Sequence, residues 1–390
     1  RTEGDDALRS LARQFDGATL NDLEVPRARW DQALASLEPA LRRALERSTA
    51  NVREVHESFR PRPQELVTAD GVVIGRRPDA LQRVGVYAPG GRAAYPSSLL
   101  MGVVPARVAG VGEIIVCSPP DASGSPSSVV LAAAAMAGAD RVFAVGGAGA
   151  IAAMAFGTQS VPAVDRIVGP GNAWVAEAKL QVSNRVGIDA PAGPSELLIL
   201  ADGSATPEVL AREMLAQAEH DPVAAVVLVS DSDALIRAVA QEIDRVIDDE
   251  PRAAIIRAAF AARGALIAAP SLDAAIAFAN RWAAEHLLVA VSTDRESAVV
   301  SQLRNAGTVF VGESASVSFG DYMTGANHVL PTGGLSRVWS GLSTADFVRW
   351  TTWQRVSPPV AASLAGDVAT FARAEGLPAH AAAAEQWGSR

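Results

Sequence analysis

Leu197-Leu-Ile-Leu-Ala201, the run from Thr206-Pro207 to Gln217-Ala-Glu-His220, and Ala224-Ala-Val-Val-Leu-Val229 together decide the fold class. The first and last are short apolar runs and read as strands. The alanine-rich segment between them has helical length. Thr206 offers a capping hydroxyl, Pro207 suits the first helical position, and Asp221-Pro222 stops the helix just after His220. Strand, helix, strand is the unit of a parallel α/β sheet.

The same alternation recurs on both sides. Further strands are expected at Val84–Tyr87, Glu113–Cys117, Arg141–Val145, Asp165–Val168, Ala265–Ala268, Leu287–Val291 and Thr308–Val311, with helices such as Ser127–Ala137 and Trp174–Val182 between them. That is more strand than one small doubly wound sheet needs, so two Rossmann-like parallel-sheet domains are expected. The first is expected from residues 1–86 plus 195–342, with a helical N-terminal segment, and the second from 87–194. Residues 343–390 read as a helical tail, with Trp350 and Trp353 at helical spacing.

Bulk composition excludes several classes. With 49% hydrophobic and 20% charged residues, the 390-residue chain can build a sizeable core, which argues against disorder. A net charge of −9 without any basic block disfavours a nucleic-acid partner. The longest apolar run, around Val129–Ala139, is too short to span a bilayer, so no membrane partner is expected. The acidic N-terminal stretch lacks a signal-peptide pattern, and the single cysteine, Cys117, excludes an intramolecular disulfide. A cytoplasmic address is the simplest expectation.

The five histidines are not scattered. His220, His286 and His328 sit in dense polar motifs, and His380 follows Glu375 in the tail. Gln217 and His220, three apart, would share one face of a helix. Asp321, in a glycine-containing loop, adds a hard oxygen, and His380 a second imidazole. The four would supply two nitrogens and two oxygens with one negative charge, a set that suits a zinc-type ion kept electrophilic. The bland alternatives are a chance surface pair for Gln217 and His220, a turn-forming Asp321 and a solvated His380. Glu285-His286, where a helical run meets an apolar strand, is the best acid–base pair: imidazole titrates near neutrality, and the carboxylate can activate water.

Gly147-Ala-Gly149-Ala-Ile-Ala152 follows a strand and opens a helix, as a dinucleotide fingerprint does, but Asp165 precedes its strand instead of ending it. Pro89-Gly90-Gly91 and Gly169-Pro170-Gly171-Asn172 are further glycine loops after strands; tight turns alone explain each singly. Cys117 is read as a small buried hydrophobe rather than a nucleophile. His56, in an Arg- and Glu-rich helix, is expected at the surface.

Taken in order, these motifs resemble the histidinol dehydrogenase family. The match runs through Gln14-Phe-Asp-Gly17, Tyr87–Gly91, Tyr95-Pro-Ser-Ser98, Phe156-Gly-Thr158, Gly169–Asn172, Val186-Gly-Ile-Asp189, Ala192-Gly-Pro-Ser-Glu196, Gln217–His220, Ala284–Leu287, Gly320-Asp321, Asn327–Thr332 and Glu375–His380. The resemblance implies one zinc ion on Gln217, His220, Asp321 and His380, with Glu285 and His286 catalytic. Ser195, His328 and Glu375 would join the metal ligands in contacting the substrate, and Tyr87 and Asn172 would touch NAD, which makes 87–194 the NAD-binding domain. It also implies an intertwined homodimer with shared active sites, the tail of each chain completing its partner's site. The implied reaction is the four-electron oxidation of L-histidinol to L-histidine through histidinal with two NAD, a step of histidine biosynthesis. Gly149 stands where the family usually carries glutamine, Leu288 replaces a frequent acidic residue, and Trp174 replaces tyrosine or phenylalanine. Three alternatives stay open: a sibling NAD-dependent dehydrogenase of a sulfonated propanediol, a zinc hydrolase using Glu285 as base, and a non-catalytic metal-binding or regulatory protein in which neither Glu285 nor His286 matters.

Overall fold

The first two strands of the chain, β1 (Gln64–Val67) and β2 (Val73–Ala80), do not join either parallel sheet. Those sheets are built from the ten that follow. β3 (Arg83–Tyr87), β4 (Glu113–Ser118), β5 (Arg141–Ala144), β6 (Arg166–Val168) and β7 (Gly187–Ile188) form one, in the order β5-β4-β3-β6-β7. β8 (Glu196–Ala201), β9 (Ala225–Ser230), β10 (Gly264–Ala268), β11 (His286–Ala290) and β12 (Thr308–Val311) form the other, in the order β10-β9-β8-β11-β12. All pairings within the two are parallel. Each sheet thus has its first strand in the middle and reverses direction of growth there, the arrangement of a Rossmann half. The nine strands expected from the sequence all form; the two-residue β7 is additional. This computed structural model describes residues 2–90 and 94–388, so Gly91, the end of the first glycine loop, lies outside the described residues.

Every residue of β8, β9 and β11 is buried, because helices cover both faces of the sheet and leave no solvated side to alternate with. Successive side chains of β8 therefore feed two different cores. Leu197 and Ile199 pack with Leu210 and Met214 of the helix Pro207–Ala218. Leu198 and Leu200 pack with Ile276 of the helix Leu272–Trp282. Truncating Ile199 to alanine would cost about 2–5 kcal/mol, since neither core can collapse into the space left.

The helix Pro207–Ala218 departs from expectation at both ends. Proline does occupy its first turn, but the Thr206 hydroxyl makes no capping bond; the Thr206 N–H is held instead by Glu313. At the far end the helix stops at Ala218, so His220 lies past it, tied back through its N–H to Gln217 O at 3.3 Å.

The chain divides into two compact units. One holds both parallel sheets and comprises the chain up to Phe59 and Leu81–Phe347; the other comprises Arg60–Ala80 and the chain from Val348 onward. In the second unit, β13 (Val348–Arg355) pairs antiparallel with β2, which pairs antiparallel with β1. The Trp350–Trp353 stretch is therefore strand, not helix. The helices Pro358–Ala374 and Pro378–Gly388 follow it and pack on each other through Ala369, Ala372 and Ala381.

Candidate active site

Glu285 and His286 stand at the amino end of β11, beside the amino end of β8, where the second sheet reverses. The helix Leu272–Trp282 delivers them. It ends on Ala283, which adopts φ 56°, the sole positive φ among the described non-glycine residues. A left-handed alanine costs roughly 1–2 kcal/mol, and it turns the chain sharply into Ala284 and Glu285.

The imidazole of His286 is buried and faces acceptors on both sides. Its Nδ1 lies 3.1 Å from Glu196 O and 3.4 Å from Glu285 Oε2, so Nδ1 carries the proton. Nε2 has no hydrogen-bond partner and lies 3.9 Å from Asp321 Oδ1. Burial alone would lower the pKa of His286, but Glu285 and Asp321 outweigh it and push it up to about 9. Engaging Asp321 with another cation would remove one of the two charges that hold this proton.

Asp321 does not sit in a loop, as expected, but on the short helix Val317–Tyr322. From there it also meets His328. His328 Nδ1 lies 3.0 Å from Asp321 O and 3.8 Å from Asp321 Oδ1, and its Nε2 lies 3.5 Å from Ser98 Oγ. Burial lowers the pKa of His328, with the Asp321 charge pulling the other way. The structure thus brings Glu285, His286, Asp321 and His328 into one cluster. Ser98, in the Tyr95–Ser98 motif, had no role assigned from sequence; the motif was visible, but nothing local to it pointed to His328.

Gln217 is buried on the last turn of its helix with an amide nitrogen that finds no partner. A half-turn about the last side-chain torsion exchanges the amide nitrogen and oxygen, so the same position can present an oxygen. His220 is exposed. Ser195 is half-buried just before β8, its carbonyl accepting from Ala225 N–H at 3.0 Å. Glu375 caps the helix Pro358–Ala374 and His380 lies on the helix after it; both belong to the second unit and both are exposed. Among the described residues no three His, Cys, Asp or Glu side chains gather as a metal-holding group. The expected set has only His220 and Asp321 of those types in the first unit; its third member there is the amide of Gln217. A buried amide without a partner, and an aspartate poised near two imidazoles, are donor types that fit a cation accepting oxygen and nitrogen ligands.

The first sheet presents its carboxyl ends at the corresponding reversal. Tyr87 closes β3, is buried, and accepts from Gly147 N–H through its hydroxyl at 3.1 Å. Asn172 is exposed and caps the helix Ala173–Val182, its Oδ1 accepting from Trp174 and Val175 N–H at 3.1 Å each. Gly147 adopts φ 59°, and a Cβ there would meet only open space at the start of the helix Gly147–Phe156, so bare backbone can approach a phosphate. Gly149 differs: a Cβ there would lie 2.9 Å from Leu11 Cδ1 and 3.3 Å from Leu8 Cδ2. Asp165 does precede its strand, and its Oδ2 holds the N–H groups of Gln82 and Arg83. Cys117 is fully buried and its thiol is pushed up to about 12, which fits a structural role.

His56 corrects the sequence reading. It is buried, with Thr344 Oγ1 donating to its carbonyl at 2.8 Å and Asn327 Nδ2 lying 3.5 Å from its Nε2. Leu45, Ser48, Thr49, Val52 and His56 form one buried stripe along the helix Pro39–Ser58, so helical spacing held the signal that the surrounding charges masked.

The family model described as histidinol dehydrogenase matches residues 1–386. A histidinol dehydrogenase of Natronomonas pharaonis is 49% identical over 98% of this chain and 89% of its own length. One of Methanothermobacter thermautotrophicus is 46% identical over 98% and 89%. The crystal structure of histidinol dehydrogenase from Elizabethkingia anophelis superposes with a TM-score of 0.95 at 34% identity, covering 99% of this chain and 88% of that one. The chain belongs to the histidinol dehydrogenase family, a family of oxidoreductases.

Proposed function

We propose that the protein oxidises L-histidinol to L-histidine through histidinal, with zinc and two NAD, at sites shared between the subunits of a homodimer. On this reading residues 87–194 carry NAD through Tyr87 and Asn172, and 1–86 with 195–342 carry the acid–base pair. Residues 343–390 would place Glu375 and His380 of the partner subunit at the site. Gln217, His220, Asp321 and His380 would hold the metal, with Ser195, His328 and Glu375 against the substrate.

The observation that carries the reading is the His286 Nε2 atom, buried, without a partner, and beside Asp321. Glu285 and Asp321 together push this ring up to about 9; once Asp321 is engaged by a cation its pull is reduced, and a ring nitrogen without a partner can then take a proton. When bound, zinc supplies a positive charge that orients the substrate's amine and imidazole, and NAD supplies the hydride acceptor. His286 takes the hydroxyl proton of the alcohol at Nε2, its Nδ1–H fixed by Glu196 O. Glu285, held by Glu196 N–H at 2.8 Å, draws the proton from water when the aldehyde is hydrated. As the hydrate forms, His286 returns its proton to the former carbonyl oxygen and Glu285 releases its own to solvent; His286, again unprotonated at Nε2, then takes the hydroxyl proton of the hydrate in the second oxidation.

Supplying histidinal directly separates the two steps. Glu285→Gln keeps the shape and removes the base, so aldehyde oxidation should fall by about 10²-fold or more. Histidinal oxidation at the wild-type rate in Glu285→Gln would exclude Glu285 from this role.

A further inference from the structure

Glu196 is the first residue of β8, and its peptide groups hold both members of the acid–base pair. Its N–H donates to Glu285 Oε2 at 2.8 Å, and its carbonyl accepts from His286 Nδ1–H at 3.1 Å. A rotation of this one residue would therefore disturb the carboxylate and the imidazole together.

The side chain of Glu196 is unusual for its place. It is 6% exposed, yet only one of its oxygens is used: Oε1 accepts from Gly333 N–H at 3.0 Å, and Oε2 finds no partner. A buried carboxylate with one hydrogen bond costs several kcal/mol of desolvation, far more than one such bond returns. Burial and the nearby Glu285 push its pKa up, while Gly333 N–H and Arg263 oppose them. An apolar residue in this position would be cheaper for folding alone. What the carboxylate does is tie the start of β8 to the loop at Gly333. A second bond, Gly193 N–H to Thr332 Oγ1 at 2.5 Å, ties the same two segments three residues earlier. The start of β8 is thereby clamped to one loop on one side and to Glu285 and His286 on the other.

We propose that Glu196 is a positioning residue: its carboxylate fixes its own peptide groups through Gly333, and those groups aim Glu285 and His286. The inference rests on the acid–base role proposed above for that pair. It does not require Glu196 to touch substrate.

Three variants test it: Glu196→Ala removes the anchor, Glu196→Gln keeps an acceptor for Gly333 N–H without the charge, and Glu196→Asp shortens the reach. In Glu196→Ala, kcat should fall by about 10- to 100-fold with both histidinol and histidinal, while KM changes by less than about threefold, because a small misplacement of reacting groups acts on the chemical step. Glu196→Gln should recover most of the rate, and Glu196→Asp should fall between. The loss should nearly vanish when Glu196→Ala is added to the double variant Glu285→Gln/His286→Asn, since a residue acting through others is non-additive with them. One readout needs no turnover: in protein labelled with ¹⁵N-histidine and held at a pH where the His286 ring is neutral, His286 should hold its proton on Nδ1 in the wild type and Glu196→Gln, and mix tautomers in Glu196→Ala. If Glu196→Ala does not fold, the Asp and Gln variants carry the same comparison. A wild-type kcat in Glu196→Ala or, if that variant does not fold, in Glu196→Asp, would overturn the proposal. So would a Glu196→Gln no better than Glu196→Ala, or an unchanged His286 tautomer in Glu196→Ala. Failure of the underlying reading has a different signature, full activity in both Glu285→Gln and His286→Asn.

Discussion

Lys179 and Asp189 form an ion pair buried to 3% exposure on each side chain, and together they take both polar groups of Gly169. Asp189 Oδ2 accepts from Gly169 N–H at 2.7 Å, and Lys179 Nζ donates to Gly169 O at 3.1 Å. Gly169 itself has φ 116°, and a Cβ there would lie 2.1 Å from Tyr87 O. The loop that leads to Asn172 is thus nailed to the end of β3 by a charge pair, a left-handed glycine and a backbone contact.

Breaking that pair should be costly. Burial pushes the Asp189 carboxyl up, and Lys179 opposes the shift. Lys179→Met leaves Asp189 buried without its cation, so unfolding in urea should show a loss of about 3–5 kcal/mol. NAD affinity, measured by titration on the folded protein, should weaken as well. A loss under about 1 kcal/mol would show that the pair contributes little to holding the loop.

His56 predicts a particular dependence of stability on pH. It titrates near 6.5 in an unfolded chain, and burial lowers it to about 4 in the native protein. Between these values the unfolded chain binds a proton that the native protein does not, so stability rises with pH across the window. The contribution is fully present above pH 6.5 and is lost as pH falls towards 4, by about 3 kcal/mol at most. His56→Gln should flatten the stability curve between pH 4 and 6.5. An unchanged slope would place the His56 titration elsewhere.

Cys117 should be inert. With its thiol pushed up to about 12 and no exposed surface, the thiolate fraction at pH 8 is negligible. Iodoacetamide should label it only as fast as the protein opens, and Cys117→Ala should keep its turnover at a cost of about 1 kcal/mol in stability. Loss of NADH formation in that variant would make the thiol catalytic.

The ion proposed at the site can be counted. Elemental analysis should find one zinc-class ion per subunit, and sharply reduced occupancy in His220→Ala and in His380→Ala. Full occupancy in both would remove these two ligands from the assignment. Refolding inactive His286→Ala together with inactive His380→Ala should restore some activity, because one site of each mixed dimer would carry neither change. No recovery in proven heterodimers would mean that the sites are not shared.

The sheets were legible because their strands are buried on both faces and read as uninterrupted apolar runs. β8, β9 and β11 needed no partner information to be recognised. β2 and β13 were missed for the opposite reason: they are partly exposed, and the register that makes them strands joins Val348 to Ala80 across most of the chain. The spacing of Trp350 and Trp353 imitates a helix in the absence of that pairing. At the site, Glu285, His286 and Asp321 were recognisable by residue type and setting. Glu196 was not singled out, because its contribution lies in its N–H and C=O, which every residue has. His56 was misplaced because the charged neighbours on its helix outweighed a buried stripe that only period counting reveals.

The stoichiometry of oxidation tests the proposed activity most directly. Purified protein, given limiting L-histidinol and excess NAD, should form two NADH for each histidinol consumed, with histidine as the product and no free aldehyde accumulating. One NADH per histidinol with histidinal released, or no NADH from histidinol at all, would contradict it.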